Sequence, residues 1–380
     1  MEYSRILVIR MSSLGDVLHA LPFAVALRHR FPGARISWVV HPSFAELVPG
    51  PPWVDEVISF RRPLIFRPLQ SVADLVRLRR KLRAERFDLV VDLQGLFKSA
   101  LVAAVSGCRN RIGGAIMREG SSLISHPIIG SNAAGHAVER NLDIARYLGA
   151  EIHPGTDKIT EPEYPLPELP DAVKTVAAKL ADAGLMRGTP YVVLVPAARW
   201  VSKCWPPEYY AELARRLIGD GWNVVLAGAS GDRPLSEKIA AMLAESAATN
   251  NHPAAADMDF TATDVASEKF ADLTGATSLY ELVALIRGAG LYVSGDTGPL
   301  HIAAAAGTPL VAICGPTRPE RTGPYGGCRM AVLVTPVECA GCLKKKCRNR
   351  RCMDAVHPET VHDACRKISN APTSNISGAS

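Results

Sequence analysis

The chain has 380 residues, 48% of them hydrophobic and 21% charged, with a net charge of +6. That length accommodates two domains of ordinary size, and the apolar fraction excludes an intrinsically disordered chain. No run of about 18 uncharged apolar residues occurs, so no transmembrane helix is expected.

Residues 5–10 are an aliphatic run that reads as a buried parallel strand. The sequence enters this strand without the basic start, apolar stretch and cleavage site of a signal peptide. A cytoplasmic protein is therefore expected, whose nine cysteines do not pair. Residues 11–16 form a tight turn, 17–30 have helical apolar spacing, and Pro32-Gly33 ends that helix before a strand at 36–40. Strand, turn, helix, strand in this order implies a right-handed crossover and a doubly wound sheet. The pattern continues with strand 57–60, helix 71–86, strand 88–92, and helices 97–106 and 141–148, placing a first domain at 1–150.

Residues 151–170 carry four prolines in their last nine positions and read as a linker. A second α/β domain is expected over 171–338. It has helix 171–184, strand 191–195, helix 207–220, strand 223–227 and a helix near 235–245. A strand within 246–268 has no clear position, and helix 278–287 leads into strand 290–294. Helix 300–306 and strand 308–314 follow. A cysteine-rich basic segment with a C-terminal helix occupies 339–366, and the polar tail 367–380 is expected to fray.

Charge is unevenly placed. Residues 61–120 hold thirteen Lys/Arg against five Asp/Glu, a net of +8. Such a face suits an anionic acceptor, a nucleic acid or an anionic membrane surface. For Arg77 to Arg86 individually, a solvated helix face accounts better for the charge, but not for the net imbalance.

Four stretches carry chemistry. Residues 294–301 (SGDTGPLH) join a strand to an Ala-rich helix through a Gly- and hydroxyl-rich turn, leaving helix-start amides aimed at an anion. There Thr297 and Gly298 can donate to a phosphorylated ligand and Asp296 can accept from a sugar hydroxyl, or Asp296 is simply an N-cap. Asp16 follows the first strand, at the edge where open α/β sheets bind ligands, and serves either as general base or as a helix cap. Ser12, Ser13 and Gly15 offer backbone amides beside it. Lys203, among Ser, Trp and Pro, can neutralise a diphosphate or be an exposed loop charge. Asp232, in the turn GASGD at 228–232, can take a ribose diol. Gly-x-Gly-x-x-Gly after the first strand and a Walker Gly-Lys-Ser/Thr are absent, which argues against a dinucleotide dehydrogenase and a P-loop NTPase. Cys339, Cys342, Cys347 and Cys352, among six basic residues, could hold zinc or an iron–sulfur cluster. Structural thiols or a basic patch facing an anion are the alternatives.

Together these stretches resemble the lipopolysaccharide heptosyltransferases of glycosyltransferase family 9. The resemblance rests on residues 9–22 (IRMSSLGDVLHALP), 92–99 (DLQGLFKS), 198–206 (ARWVSKCWP), 272–279 (DLTGATSL), and 294–317 continuing to GPYG at 323–326. The first motif is more like heptosyltransferase I than heptosyltransferase II. The resemblance implies an α/β fold of GT-B type, two facing Rossmann-like doubly wound domains with a cleft between them. The first domain would bind the acceptor and the second the nucleotide sugar.

By the same resemblance Asp16 is the catalytic base. Lys203, Asp232, Asp296, Thr297, Gly298 and His301 bind the donor. Ser13, Gly15, Arg61, Arg62 and Lys98 are expected to bind the acceptor. Cys204 departs from the family, standing where a basic residue is more usual. Ala197 and Ala198 replace hydroxyl residues that contact phosphate in some members. The cysteine segment occurs in only part of the family.

The expected function is inverting transfer of heptose from ADP-L-glycero-D-manno-heptose to the Kdo/heptose inner core of lipopolysaccharide, with no cofactor needed for catalysis. The expected partners are ADP-heptose, an anionic lipid-linked Kdo acceptor and an anionic membrane surface at the inner face of the inner membrane. No nucleic-acid partner is expected. A related transferase using another nucleotide sugar is the alternative, followed by a basic nucleic-acid-binding protein.

Overall fold

The computed structural model describes residues 2–61, 68–151, 162–185, 189–249 and 269–369. Arg62, residues 152–161 of the expected linker, the segment 250–268 and the tail from 370 lie outside them. The chain divides into two compact units. The first is Met1–Glu168 with Glu320–Gly326, and the second is Leu169–Pro319 with Gly327–Ser380.

The first unit is built on six strands: β1 (Arg5–Ile9), β2 (Arg35–Val40), β3 (Glu56–Ser59), β4 (Leu89–Asp92), β5 (Arg111–Gly113) and β6 (His126–Pro127). All pair in parallel, in the order β3-β2-β1-β4-β5-β6. Its helices are α1 (Leu14–Leu18), α2 (Leu21–Arg30), α3 (Pro68–Ala84), α4 (Phe97–Val105) and α5 (Ala137–Tyr147). Leu7 and Ile9 pack with Leu78 and Leu82 of α3 and Val102 of α4. Strand alternation sends Ile6 and Val8 to the opposite face, where they are equally buried. Both faces are thus covered, which explains a continuous aliphatic run instead of an alternating one.

The single helix expected over 17–30 is two helices. α1 ends at Leu18 and α2 restarts at Leu21 with Pro22 in its first turn. Pro22 has no N–H to donate backwards, so it fits a helix start and interrupts a helix interior. α5 begins before the expected position 141, capped by His136, whose Nδ1 accepts from the Val138 amide at 3.2 Å. The segment 320–326 belongs to this unit, and its Gly323 carbonyl lies 3.3 Å from His19 Nε2 and 3.2 Å from His136 Nε2.

The second unit repeats the plan with β7 (Tyr191–Val195), β8 (Asn223–Leu226), β9 (Phe270–Asp272), β10 (Leu291–Gly295), β11 (Leu310–Cys314) and β12 (Met330–Val334). The order is β12-β11-β10-β7-β8-β9, again all parallel. Its helices are α6 (Pro170–Asp182), α7 (Pro207–Gly219), α8 (Arg233–Thr249), α9 (Leu279–Arg287), α10 (Gly298–Ala305), α11 (Arg351–Asp354) and α12 (Pro358–Ser369). Trp205 and Tyr210 anchor the core with Val192, Leu194 and Leu213, and Met353 and Val361 from the C-terminal helices join it. α12 continues into the stretch expected to fray.

In each sheet the chain runs outward one way and then returns to the other side of its first strand. The reversal falls between β1 and β4 in the first sheet and between β7 and β10 in the second. Loops leaving the carboxyl ends of such a strand pair diverge and leave a crevice. Among the described residues, no helix is long and apolar enough to cross a membrane.

Candidate active site

At the reversal point of the first sheet, the turn after β1 carries Asp16 in the first turn of α1. Arg10 Nη2 donates to Asp16 Oδ1 at 2.7 Å, while the Ser13 amide and hydroxyl each donate to Oδ2 at 2.9 Å. Asp16 is therefore a helix-capping residue as well as a candidate base. The two readings coexist, because 37% of its side chain stays accessible. Gly15, buried beside it, follows Ser13 in the same turn.

The turn after β4 braces this arrangement. Gln94 Oε1 accepts from the Met11 and Ser12 amides at 2.9 and 3.1 Å, and its Nε2 donates to the Ser12 carbonyl at 2.8 Å. Lys98 Nζ reaches Ser12 Oγ at 3.1 Å, and Arg10 also donates to the Leu93 carbonyl. Asp92 accepts from the Gln94 and Gly95 amides and from Ser99 Oγ. Burial nevertheless leaves its carboxyl above the usual carboxylate range. Gly95 has φ +63° and backs onto the Ile116 carbonyl, so no side chain fits there. Arg10, Asp92 and Gln94 lie inside the quoted motifs, yet the bonds of Arg10 to Leu93 and of Gln94 to Met11 and Ser12 each span more than 80 residues, and no local pattern announces them.

Arg61 stands elsewhere in the unit. With Arg77, Lys81, Asp74 and Phe60 it lines a surface cavity of about 400 Å³ beside the end of β3. Two of those cations already have carboxylate partners: Arg77 pairs with Asp74 and Lys81 with Glu56, both at 2.7 Å. Arg111 donates to the Cys108 and Ile124 carbonyls. Part of the sequence's basic excess is thus used in holding the fold.

At the reversal point of the second sheet, the turns after β7 and β10 meet. Lys203 ends a 3₁₀ turn, Val201–Lys203, and its ammonium donates to Asp296 Oδ2 at 2.9 Å. The same nitrogen lies 4.6 Å from the centre of the Trp200 ring, a cation–π distance. Asp296 Oδ1 lies 3.7 Å from His301 Nε2, an electrostatic contact longer than a hydrogen bond. Burial on its own would raise the Asp296 carboxyl. His301 and the Lys203 charge overcome that and hold it well below the usual carboxylate range.

Thr297 is the N-cap of α10 but makes no side-chain capping bond. The first-turn amides, starting at Gly298, are directed out of the helix where the dipole favours an anion. Gly295 is buried against this turn, and a Cβ added there would lie 2.7 Å from the Lys203 carbonyl oxygen. The structure thus gathers Lys203, Asp296, Thr297, Gly298 and His301 into one cluster. Asp232 lies on the turn after β8, beside β7, where its Oδ2 accepts from the Ala229 amide at 2.8 Å and caps its own turn.

The sequence profile of glycosyltransferase family 9 (heptosyltransferase) matches residues 75–353. The chain is 31% identical over 355 residues to lipopolysaccharide heptosyltransferase 1 of Pseudomonas aeruginosa, covering 90% of this chain and 87% of that one. This chain belongs to glycosyltransferase family 9. Among solved structures, Escherichia coli ADP-heptose lipopolysaccharide heptosyltransferase II is 25% identical with a TM-score of 0.72, covering 96% of this chain and 98% of that one. Escherichia coli heptosyltransferase WaaC with ADP is 28% identical with a TM-score of 0.64, covering 86% and 92%. The protein is therefore a heptosyltransferase enzyme with the two parallel α/β sheets of a GT-B fold, and the resemblance to heptosyltransferase I holds.

The four cysteines expected as candidate metal ligands all lie in the C-terminal segment of this heptosyltransferase. Cys339 and Cys342 are exposed, Cys347 Sγ is 3.0 Å from the Asn349 carbonyl, and Cys352 is buried against Gly315. Burial raises the Cys352 thiol, and the charges of the other three thiols raise it further, so all four share one neighbourhood. Among the described residues, no group of three or more His, Cys, Asp or Glu is arranged to hold a metal ion.

Proposed function

We propose that this enzyme is an inverting ADP-heptose transferase acting on the Kdo/heptose inner core of lipopolysaccharide. Asp16 would accept the proton of an acceptor hydroxyl as that oxygen bonds to heptose C1. The bond from C1 to the diphosphate oxygen breaks on the opposite face, and ADP departs with the electron pair. Lys203 and the amides of Thr297 and Gly298, at the start of α10, would stabilise the charge gathering on the diphosphate. His301 would support Asp296, and Asp232 would accept from the ribose diol.

The observation that carries this reading is the partly buried Lys203–Asp296 pair beside the positive end of the α10 dipole, at a sheet reversal point. The name of the WaaC relative, solved with ADP, supports the same assignment for the donor. For the acceptor, the support is the net basic character of residues 61–120, including Arg61, Arg62 and Lys98. That charge suits a phosphorylated glycolipid and the anionic inner face of the inner membrane. Ser13 and Gly15 would shape the backbone against which the acceptor sugar rests. Catalysis on this scheme uses no metal step.

Turnover with ADP-heptose, compared with UDP- and GDP-sugars on a Kdo-terminated lipid acceptor, tests the proposal. Heptose transfer from the ADP donor alone is the expected result. Equal or better use of a UDP- or GDP-sugar would overturn the donor assignment.

A further inference from the structure

The cysteine-rich segment has a second feature that the reaction scheme leaves unused. It runs over the carboxyl edge of the second sheet, held by bonds to loops of the donor cluster. The Gly341 amide donates to the Gly315 carbonyl at 3.0 Å and the Leu343 amide to the Pro316 carbonyl at 2.7 Å, both in the turn after β11. Ser202, buried and adjacent to Lys203, donates its hydroxyl to the Lys344 carbonyl at 2.6 Å and lies 3.2 Å from the Lys345 carbonyl. Arg350 reaches the carbonyl of Cys204, on the other side of Lys203, at 3.2 Å. The loop carrying Lys203 is thus tied to the cysteine-rich segment on both flanks, to the lysine run at Ser202 and to Arg350 at Cys204.

The consequence is a shared ring. Lys345 Nζ lies 5.7 Å from the centre of Trp200, the ring that also carries Lys203 Nζ at 4.6 Å. The two ammonium nitrogens are therefore no more than about 10 Å apart. Among the described residues, Lys203 has a carboxylate partner and Lys345 has none. An exposed ammonium held by its backbone beside a second cation gains most from an anion with oxygens facing both ways.

We propose that Lys345 is a second phosphate-binding residue of the donor site, taking one end of the nucleotide-sugar diphosphate while Lys203 takes the other. This rests on the donor reading above. Trp200 acts as the positioning residue between the two cations. Residues 339–352 then serve the donor site through Lys345.

The test is calorimetric titration of the full-length protein with ADP, AMP and adenosine, for wild type, Lys345→Ala, Lys345→Arg, Lys346→Ala and Lys203→Ala. Lys345→Ala should weaken ADP by about tenfold and leave adenosine unchanged, as expected for loss of one charge-assisted contact at an accessible site. Lys345→Arg should recover most of that loss, and Lys346→Ala, the same charge change one residue on, should cost less than about twofold. ADP affinity unchanged in Lys345→Ala but lost in Lys203→Ala would show Lys345 to be a bystander with the donor reading intact. Equal weakening of ADP and adenosine would assign Lys345 a structural role and overturn the inference. Wild type that binds no ADP would sink the donor reading itself, and this inference with it.

Discussion

Lys203 and Asp296, 93 residues apart in sequence, form an ion pair at 2.9 Å where β7 and β10 end side by side. Asp296 is 9% accessible and Lys203 18%, so this contact is not a surface pair that solvent can replace. Its meaning before a ligand arrives is orientation. The carboxylate holds the ammonium over Trp200 beside the start of α10, where the departing diphosphate is proposed to lie.

Lys203→Ala should therefore do two things. ADP affinity should fall by about tenfold to a hundredfold, and the unpaired Asp296 should cost about 1–3 kcal/mol of stability. The pH dependence has a definite sign. The Asp296 carboxyl is held below its ordinary value, so the pair contributes fully above the unfolded carboxylate range and is lost as pH falls towards the lower folded value. The melting-temperature gap between wild type and Asp296→Asn should be flat from about pH 8 to 5 and shrink only below about pH 4. A gap that opened on acidification would contradict the assignment.

Gly295→Ala tests the same junction without touching a charge. The added methyl would sit 2.7 Å from the Lys203 carbonyl oxygen, a backbone atom that moves only if the whole 3₁₀ turn moves. Stability should fall by about 1–3 kcal/mol through overpacking. ADP binding should weaken in parallel while adenosine binding suffers less, because the displaced turn carries the ammonium. A variant that melts and binds ADP as wild type does would show the junction to be soft.

Much of this was legible in the sequence. The aliphatic runs of β1, β4, β7, β10 and β11 announce buried parallel strands, and Gly/hydroxyl turns after two of them mark the ligand edge. β5 and β6, three and two residues long, are too short to show any periodicity. The break between α1 and α2 was in plain view at Pro22 but was masked by apolar spacing that continues through it. The bracing of the Asp16 turn by Gln94, and of Lys203 by Asp296, depends on which strands become neighbours. That information is topological, and residue types alone do not carry it.

Asp16→Asn separates catalysis from capping. Asn keeps the size of the side chain and one oxygen that can accept from the Ser13 amide, so α1 should remain capped and the melting temperature should fall only by the loss of the Arg10 ion pair. Asn cannot take up the acceptor proton, and turnover should fall by about a hundredfold to ten-thousandfold with ADP affinity unchanged. Asp16→Ala should lose turnover similarly but also about 0.5–1 kcal/mol of stability, because the capping partner of Ser13 is gone. Turnover within a few fold of wild type in Asp16→Asn would remove Asp16 from the role of base.

The cysteines give a chemical readout of the C-terminal segment. Cys339 and Cys342 are exposed, whereas Cys365 is buried against the core of the second unit, and that burial pushes its thiol up to about 12. Cys328 is likewise raised by burial, to about 11. Only the thiolate attacks an alkylating reagent, so at about pH 8 Cys339 and Cys342 should be modified first and Cys365 only on unfolding. Mass mapping after brief iodoacetamide treatment checks the order. The same sample tests the absence of a metal-ligand geometry. A chelator should leave both the melting temperature and the labelling pattern unchanged. If Cys339, Cys342, Cys347 and Cys352 were instead protected together and released together by the chelator, the four thiols would be binding an ion as a set. The arrangement described for them would then be wrong.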